Sequence, residues 1–234
     1  MTGSAAEQLP DWLHPLARAA EHLEPEQLSS FLPPPDGSAR LSAVLLLFSD
    51  GGEGPEILLI ERSHTMRSHA GQVAFPGGGV DPGDAGPVEA ALRESYEEVG
   101  LDVSGVDVFA VLPALWVPPS NFAVTPVLAW WRAPSAVSAV DPAEVASVHR
   151  VPLAELLDPA HRFCVRHPSG SVGPAFEVRG LLVWGFTAGL LARLFALAGW
   201  ELPWDTTRVQ ELPPHLLRLA TQTPRLRAVP DATL

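Results

Sequence analysis

Hydrophobic positions repeat with two different periods along the chain. From Arg40 the run RLSAVLLLF, the turn-rich SDGGEGP and then EILLIER predict a β-hairpin with strands near 40–48 and 56–62. QVAFPGG at 72–78 predicts a further strand ending in glycines, and VDPGDAGP a loop. VEAALRESYEEVG, from Val88 to Gly100, is the clearest helical pattern, and its glycine stops it. Strands are predicted at about 105–112 and 122–131, with a short one near 145–149, a helix at 152–157 and a hairpin at about 161–178. Strands and helices mix without regular βαβ alternation, so the expected class is α+β, a mixed sheet sandwiched between helices.

The ends differ from this middle. Residues 1–38 combine a short helical pattern at Asp11–His22 with the breakers FLPPPDGS, which predicts a loosely packed N-terminal arm. A domain then spans 39–202. Residues 203–234 hold Pro203, Pro213, Pro214, Pro224 and Pro230 and predict a Pro-rich, poorly ordered C-terminal tail. The stretch Leu181–Ala198, LLVWGFTAGLLARLFALA, has the apolarity of a membrane span, but Arg193 interrupts it, so a buried amphipathic helix and no membrane partner are expected.

Charge and composition narrow the chemistry. Fifteen basic against 27 acidic residues leave a net charge of -12, which argues against nucleic-acid binding and requires a metal to mediate any anionic substrate. Every basic residue is arginine, so Schiff-base chemistry and a phosphate-loop lysine are excluded. Cys164 stands alone and forms no internal disulfide. MTGSAAEQLPDWLHP lacks the features of an export signal, so a cytoplasmic location is expected. Oligomeric state stays open, a homodimer included.

On the Val88–Gly100 helix each residue turns about 100°, which puts Val88, Leu92, Ser95 and Val99 on a face suited to the sheet. Glu94, Glu97 and Glu98 cluster on another flank, where Ala90 and Ala91 leave space. Two readings are open: a solvated acidic face, or a platform for an oxygen-ligated divalent cation. The preceding PGGGVDPGD favours the second, since Gly77, Gly78 and Gly79 can offer backbone carbonyls, although a tight turn accounts for glycines equally well.

GVDPGDAGPVEAALRESYEEVGL, Gly79 to Leu101, resembles the Nudix box, with Gly79, Arg93, Glu94, Glu97, Glu98, Gly100 and Leu101 in register. Ala85 stands where the family has a glutamate, and Ser95 where it has an apolar residue. Upstream, LLIERSHTMRSHAGQVAFPGG resembles a second signature, that of Nudix hydrolases acting on coenzyme A, through Leu58, Leu59, Arg62, Ser63, Arg67, Gly71, Phe75, Pro76, Gly77 and Gly78. The resemblance implies a Nudix fold and metal-dependent hydrolysis of the diphosphate of coenzyme A or its acyl derivatives, with Mg²⁺ or Mn²⁺. It implies Glu94 and Glu98 as direct ligands with the carbonyl of Gly79 or Gly78, Glu97 on a second metal or orienting water, and Glu97 or Glu144 as general base. Arg93 then orients the helix; with Ala85 in place of glutamate it must be held by Asp81, Asp84 or Glu89, and Glu89 at i-4 is the expected partner. Arg62, Arg67, His69, Gly71 and Phe75 form the substrate side, Arg62 on a phosphate or paired with Glu61 or another acidic neighbour, His69 as a phosphate donor or a turn cap, and Trp116 stacks adenine or packs. Competing readings are a hydrolase of ADP-ribose or another nucleoside diphosphate derivative, and a non-catalytic nucleotide sensor.

Overall fold

The computed structural model describes residues 9–66, 69–118, 120–167, 170–214 and 216–217. Helices α1 (His14–Ala20) and α2 (Pro25–Leu28) precede the sheet. Strands β1 (Arg40–Gly51) and β2 (Gly54–Arg62) form the expected antiparallel hairpin, with Phe48 opposite Ile57. QVAFPGG makes two strands instead of one: β3 (Val73–Ala74) pairs with β2, the chain steps across at Phe75 and Pro76, and β4 (Gly77–Gly79) pairs with β1. That step demands glycine, because φ at Gly77 is +150° and a Cβ there would lie 2.2 Å from the Ala43 carbonyl oxygen.

After α3 (Pro87–Val99), the strands β5 (Val106–Val111), β6 (Leu115–Val117), β7 (Phe122–Trp131) and β8 (Val145–Pro152) complete the main sheet. Among the described residues it has eight strands, ordered β3-β2-β1-β7-β5, with β4 beside β1, β6 beside β7 and β8 beside β2. Parallel β1 and β7 among otherwise antiparallel neighbours make it mixed. Side chains alternate across a strand, so Ala43, Leu45 and Leu47 face α3 through Ala90, Ala91 and Val99, whereas Leu46 and Phe48 face the opposite layer. Helices therefore cover both faces, the α+β sandwich the pattern predicts.

The opposite layer corrects two expectations. From Leu9 onward the N-terminal arm packs against the sheet: Leu13 and Leu16 are fully buried, and Trp12 meets Phe48, Trp130 and Trp200 at ring-centroid separations of 6.2, 6.1 and 5.8 Å. Each such buried apolar side chain contributes about 1.5–3 kcal/mol, enough to offset the prolines that the composition reads as breakers. The second correction concerns the segment after α4 (Leu153–Leu157). Its hairpin, β9 (Arg162–Arg166) and β10 (Val172–Val178), continues into β11 (Leu181–Val183), so the apolar helix α5 begins only at Gly185 and ends at Leu197. Pairing of Leu181–Val183 with β10 overrides its helical pattern. No helix among the described residues is long and apolar enough to cross a membrane.

Part of the Pro-rich tail also differs from its expectation. β12 (Val209–Glu211) runs parallel to β9 and closes a four-stranded sheet, β11-β10-β9-β12. Leu212 and Leu216 are buried beneath it against Phe163 and Val165. Three-residue strands carry too little pattern for the sequence to reveal. Residues 218–234 lie outside the described residues.

Candidate active site

The glycine step and α3 meet at one edge of the sheet. Pairing of β4 with β1 brings Gly77 and Gly78 against the middle and last turns of α3, and the Gly77 N–H donates to Glu98 Oε2 at 2.9 Å. The buried face of α3 is rotated from the predicted one: Ala90, Ala91, Ser95, Glu98 and Val99 are buried, while Val88 and Leu92 sit at the margin. The two alanines make no room for carboxylates; they let the helix approach the sheet. Ser95, which departs from the box pattern, is fully buried and satisfies its hydroxyl on the Ala91 carbonyl at 2.7 Å.

Burial dominates the electrostatics. The Glu98 side chain is only 6% exposed, and desolvation pushes its pKa up to about 7; the Gly77 N–H and the Arg62 guanidinium oppose this, while Glu94 and Glu144 add to it. Half-buried Glu94 is also shifted upward, again chiefly by burial, against the pull of Arg93. Arg62 Nη1 stands 3.9 Å from Glu98 Oε1, and its buried Nε has no hydrogen-bond partner among the described residues. His69 adopts a left-handed backbone at φ 55° and pairs its Nδ1 with Gln72 at 3.0 Å. Burial and the nearby Arg62 charge lower its pKa, so it is neutral at physiological pH.

Arg93 gathers the helix and the loop. Nε and Nη2 form a fork on Asp84, both at 3.0 Å; Nη2 also reaches the Gly79 carbonyl at 3.0 Å, and Nη1 bonds Glu94 at 3.1 Å and Glu97 at 3.0 Å. The fork holds the Asp84 carboxyl below the ordinary range and raises the guanidinium. The expected Arg93–Glu89 pair is therefore wrong. Glu89 instead accepts the Ala85 N–H at 2.6 Å, helping to cap the helix entry, and Asp84, one residue before the missing glutamate, takes the arginine. Spacing along the helix allowed i-4, but the loop returns Asp84 to the other side of the guanidinium, where two parallel bonds outcompete a single flexible pair.

The structure brings Glu94, Glu98, Gly78 and Arg62 together. A Cβ on Gly78 would lie 2.4 Å from the Glu94 carboxyl carbon, so only glycine leaves that carboxylate its place. Glu97 is more exposed, at 53%, and is held by Arg93. Glu144 is exposed yet close enough to perturb Glu98, and its carbonyl accepts the Ser63 N–H at 2.8 Å. Gly79 offers its carbonyl to Arg93, not to open space. Phe75 is buried in the core and acts as a support, and Gly71 closes the loop onto the Arg62 carbonyl at 3.1 Å. Trp116 packs in β6 with its indole N–H on Asn121 at 3.1 Å. Arg67 lies outside the described residues. Among the described residues no group of three or more His, Cys, Asp or Glu side chains is gathered closely enough to hold a metal ion; Arg93 and the Gly77 N–H occupy the carboxylates instead. Asp84 was the residue that sequence reasoning left as one of three, and no spacing signal separates it from Asp81.

Comparison with known proteins bears on these residues. A family model described as the NUDIX domain matches residues 39–168. The chain is 42% identical over 147 residues to the Nudix hydrolase NudL of Cronobacter sakazakii, covering 60% of this chain and 73% of that one. It is 32% identical over 162 residues to a probable nudix hydrolase of Schizosaccharomyces pombe, covering 68% and 56%. In fold it is similar to a Nudix hydrolase from M. smegmatis, RenU, at a TM-score of 0.51 and 18% identity over 76% of this chain and 99% of that one.

Proposed function

Because the chain belongs to the Nudix family, and so is a hydrolase of acid anhydrides acting on nucleoside diphosphate derivatives, we propose that its substrate is coenzyme A or an acyl derivative. Water adds to one phosphorus, the bridging P–O bond breaks, and the products are 3′,5′-ADP and (acyl-)phosphopantetheine. The observation that carries this reading is Arg62. It belongs to the upstream signature, and its guanidinium sits beside Glu98 with an unused buried donor, the arrangement a diphosphate oxygen would complete.

The donor set suits a hard divalent cation such as Mg²⁺ or Mn²⁺: a buried and a half-buried carboxylate whose charged forms are disfavoured, next to a glycine backbone that leaves them space. Glu94 and Glu98 would hold it, with the carbonyl of Gly78, since that of Gly79 accepts from Arg93. When bound, the cation lowers the pKa of its water and neutralises phosphoryl charge. Glu97 or Glu144 would accept the proton of the attacking water; the bond from Arg93 to Glu97 and the influence of Glu144 on Glu98 support this. Arg93 positions, through the Asp84 fork and the Gly79 carbonyl. Arg62 and His69 orient phosphate oxygens. Incubating the protein with coenzyme A, ADP-ribose and a dinucleoside polyphosphate, with and without Mg²⁺, and identifying products by mass tests the reading. Release of 3′,5′-ADP from coenzyme A only with metal is expected; preferential cleavage of ADP-ribose, or turnover in excess chelator, overturns it.

A further inference from the structure

Strand β2 divides two environments. Leu58 and Ile60 pack under α3, whereas Ile57 and Leu59 pack into the opposite layer. Alternation continues to the strand end: Arg62 turns toward Glu98, and Glu61 turns the other way, accepting the Ser147 hydroxyl at 2.9 Å. On the Glu61 side a cleft of about 300 Å³ opens between the main sheet and the second sheet. Its floor is apolar, with Val73 on one wall and Val165 and Leu181 on the other. Its rim carries Glu61, Glu177 and Glu211.

Three features bear on what this cleft can take. It shares the loop at Gly71 with the Arg62 site, since Gly71 lines the cleft and donates its N–H to the Arg62 carbonyl. In the far wall, β10, β11 and β12 lie beyond residues 39–168, the segment matched by the family model, whereas β9, which carries Val165, lies within it. The helix that follows β11 is clamped to the main sheet by the Thr187 hydroxyl, which donates to the Val73 carbonyl at 3.1 Å in a buried setting. The rim decides the ligand's charge. Glu211 is offset by Arg166 at 3.1 Å and Glu61 faces His64 Nε2 at 3.3 Å. That leaves Glu177 as the rim carboxylate with no ion-pair partner among the described residues, and phosphate and carboxylate are repelled by its charge. An uncharged chain with an apolar end is not. The volume is at the small end of ligand pockets, about 300 Å³ upward, which suits one slender chain.

We propose that this cleft receives the uncharged amide-bearing thiol arm of a coenzyme A-like substrate, and that its acidic rim selects neutral acyl groups over acyl groups ending in a carboxylate. The inference rests on the coenzyme A reading above for the substrate, while the cleft's affinity for the arm is measured separately.

The intact protein is titrated with pantetheine, and separately with 3′,5′-ADP, while backbone amide shifts are followed by NMR. Pantetheine should shift Val165, Leu181 and Gln210, and Gln210→Trp, at an exposed position of β12 that lines the cleft, should weaken it about ten-fold or more while leaving 3′,5′-ADP unaffected. Wild type should prefer acetyl-coenzyme A to succinyl-coenzyme A in kcat/KM. Glu177→Gln should narrow that preference about five-fold, as expected for removing one nearby charge at a hydrated rim. Pantetheine shifts confined to the Arg62 side, or equal rates for the two thioesters, overturn the proposal. Coenzyme A turnover without pantetheine in the cleft refutes the cleft alone; pantetheine in the cleft without coenzyme A turnover refutes only the substrate reading and sustains the cleft.

Discussion

Replacing Glu98 by Gln should stabilise the metal-free protein, by an amount that grows with pH. Burial, ahead of every other cause, raises the Glu98 pKa from 4.5 to about 7. The folded protein therefore binds this proton more tightly than the unfolded chain does. The associated stability is complete below pH 4.5 and is lost as pH rises through about 7. A ten-fold change in proton affinity is worth about 1.4 kcal/mol, so keeping Glu98 buried costs about 1 kcal/mol at pH 5.5, where the folded side chain retains its proton, and about 3 kcal/mol at pH 8, where it is ionised. Glutamine occupies the same volume, still accepts the Gly77 N–H and has no charge to desolvate. For a chain of this size about 3 kcal/mol corresponds to a Tm gain of about 6–12 °C. Urea or thermal unfolding of both proteins in excess chelator from pH 5.5 to 8.5 measures the difference. A difference that does not change with pH, or a wild type that is the more stable at pH 8, refutes the reasoning. Manganese should reverse the ranking at pH 8, because it binds the ionised carboxylate and so stabilises only wild type.

Three further outcomes follow from the same geometry. Gly78→Ala drives a methyl group into the Glu94 carboxylate and should lower kcat about 10–100-fold with the fold retained by circular dichroism, as small misplacements of catalytic groups do; unchanged kcat would remove Glu94 from the site. Asp84→Asn breaks the charged fork on Arg93 and should reduce turnover much more than Glu89→Gln, whose partner is only the Ala85 N–H; steady-state kinetics of both variants decide it. Glu201→Ala leaves the buried Arg162, 1% exposed and bonded to the partly exposed Glu201 at 2.8 Å, without its carboxylate, and should cost up to about 3 kcal/mol in urea unfolding, whereas Arg162→Met should cost less.

Long, strongly patterned elements were legible in advance. The hairpin at β1 and β2, the helix ending at Gly100 and the long strand at 122–131 each carry a period extending over many residues, and each forms where the pattern puts it. The short ones were not. β3, β4 and β12 have two or three residues apiece, and their pairing is decided by what lies beside them in space. Leu181–Val183 reads as the start of a helix because its leucines suit either conformation; β10 beside it supplies the hydrogen bonds that make it a strand.

The sequence by itself determined the family, the cluster Glu94, Glu97 and Glu98, the glycines that precede it and the pairing of that cluster with an upstream arginine loop, because these depend on residue identity and spacing along one segment. Tertiary structure alone decided which of those groups face one another. Arg93 turns to Asp84 and not Glu89 because the loop folds back over the helix. Glu98 titrates near neutrality because β4 and α3 together exclude water from it. Glu61 and Arg62, neighbours in sequence, turn to opposite faces of the sheet, Arg62 toward Glu98 and Glu61 toward Ser147, because a strand sends successive side chains to opposite faces. Residue spacing describes one dimension, whereas charge, burial and hydrogen bonding at a site are set by neighbours that the chain brings from elsewhere.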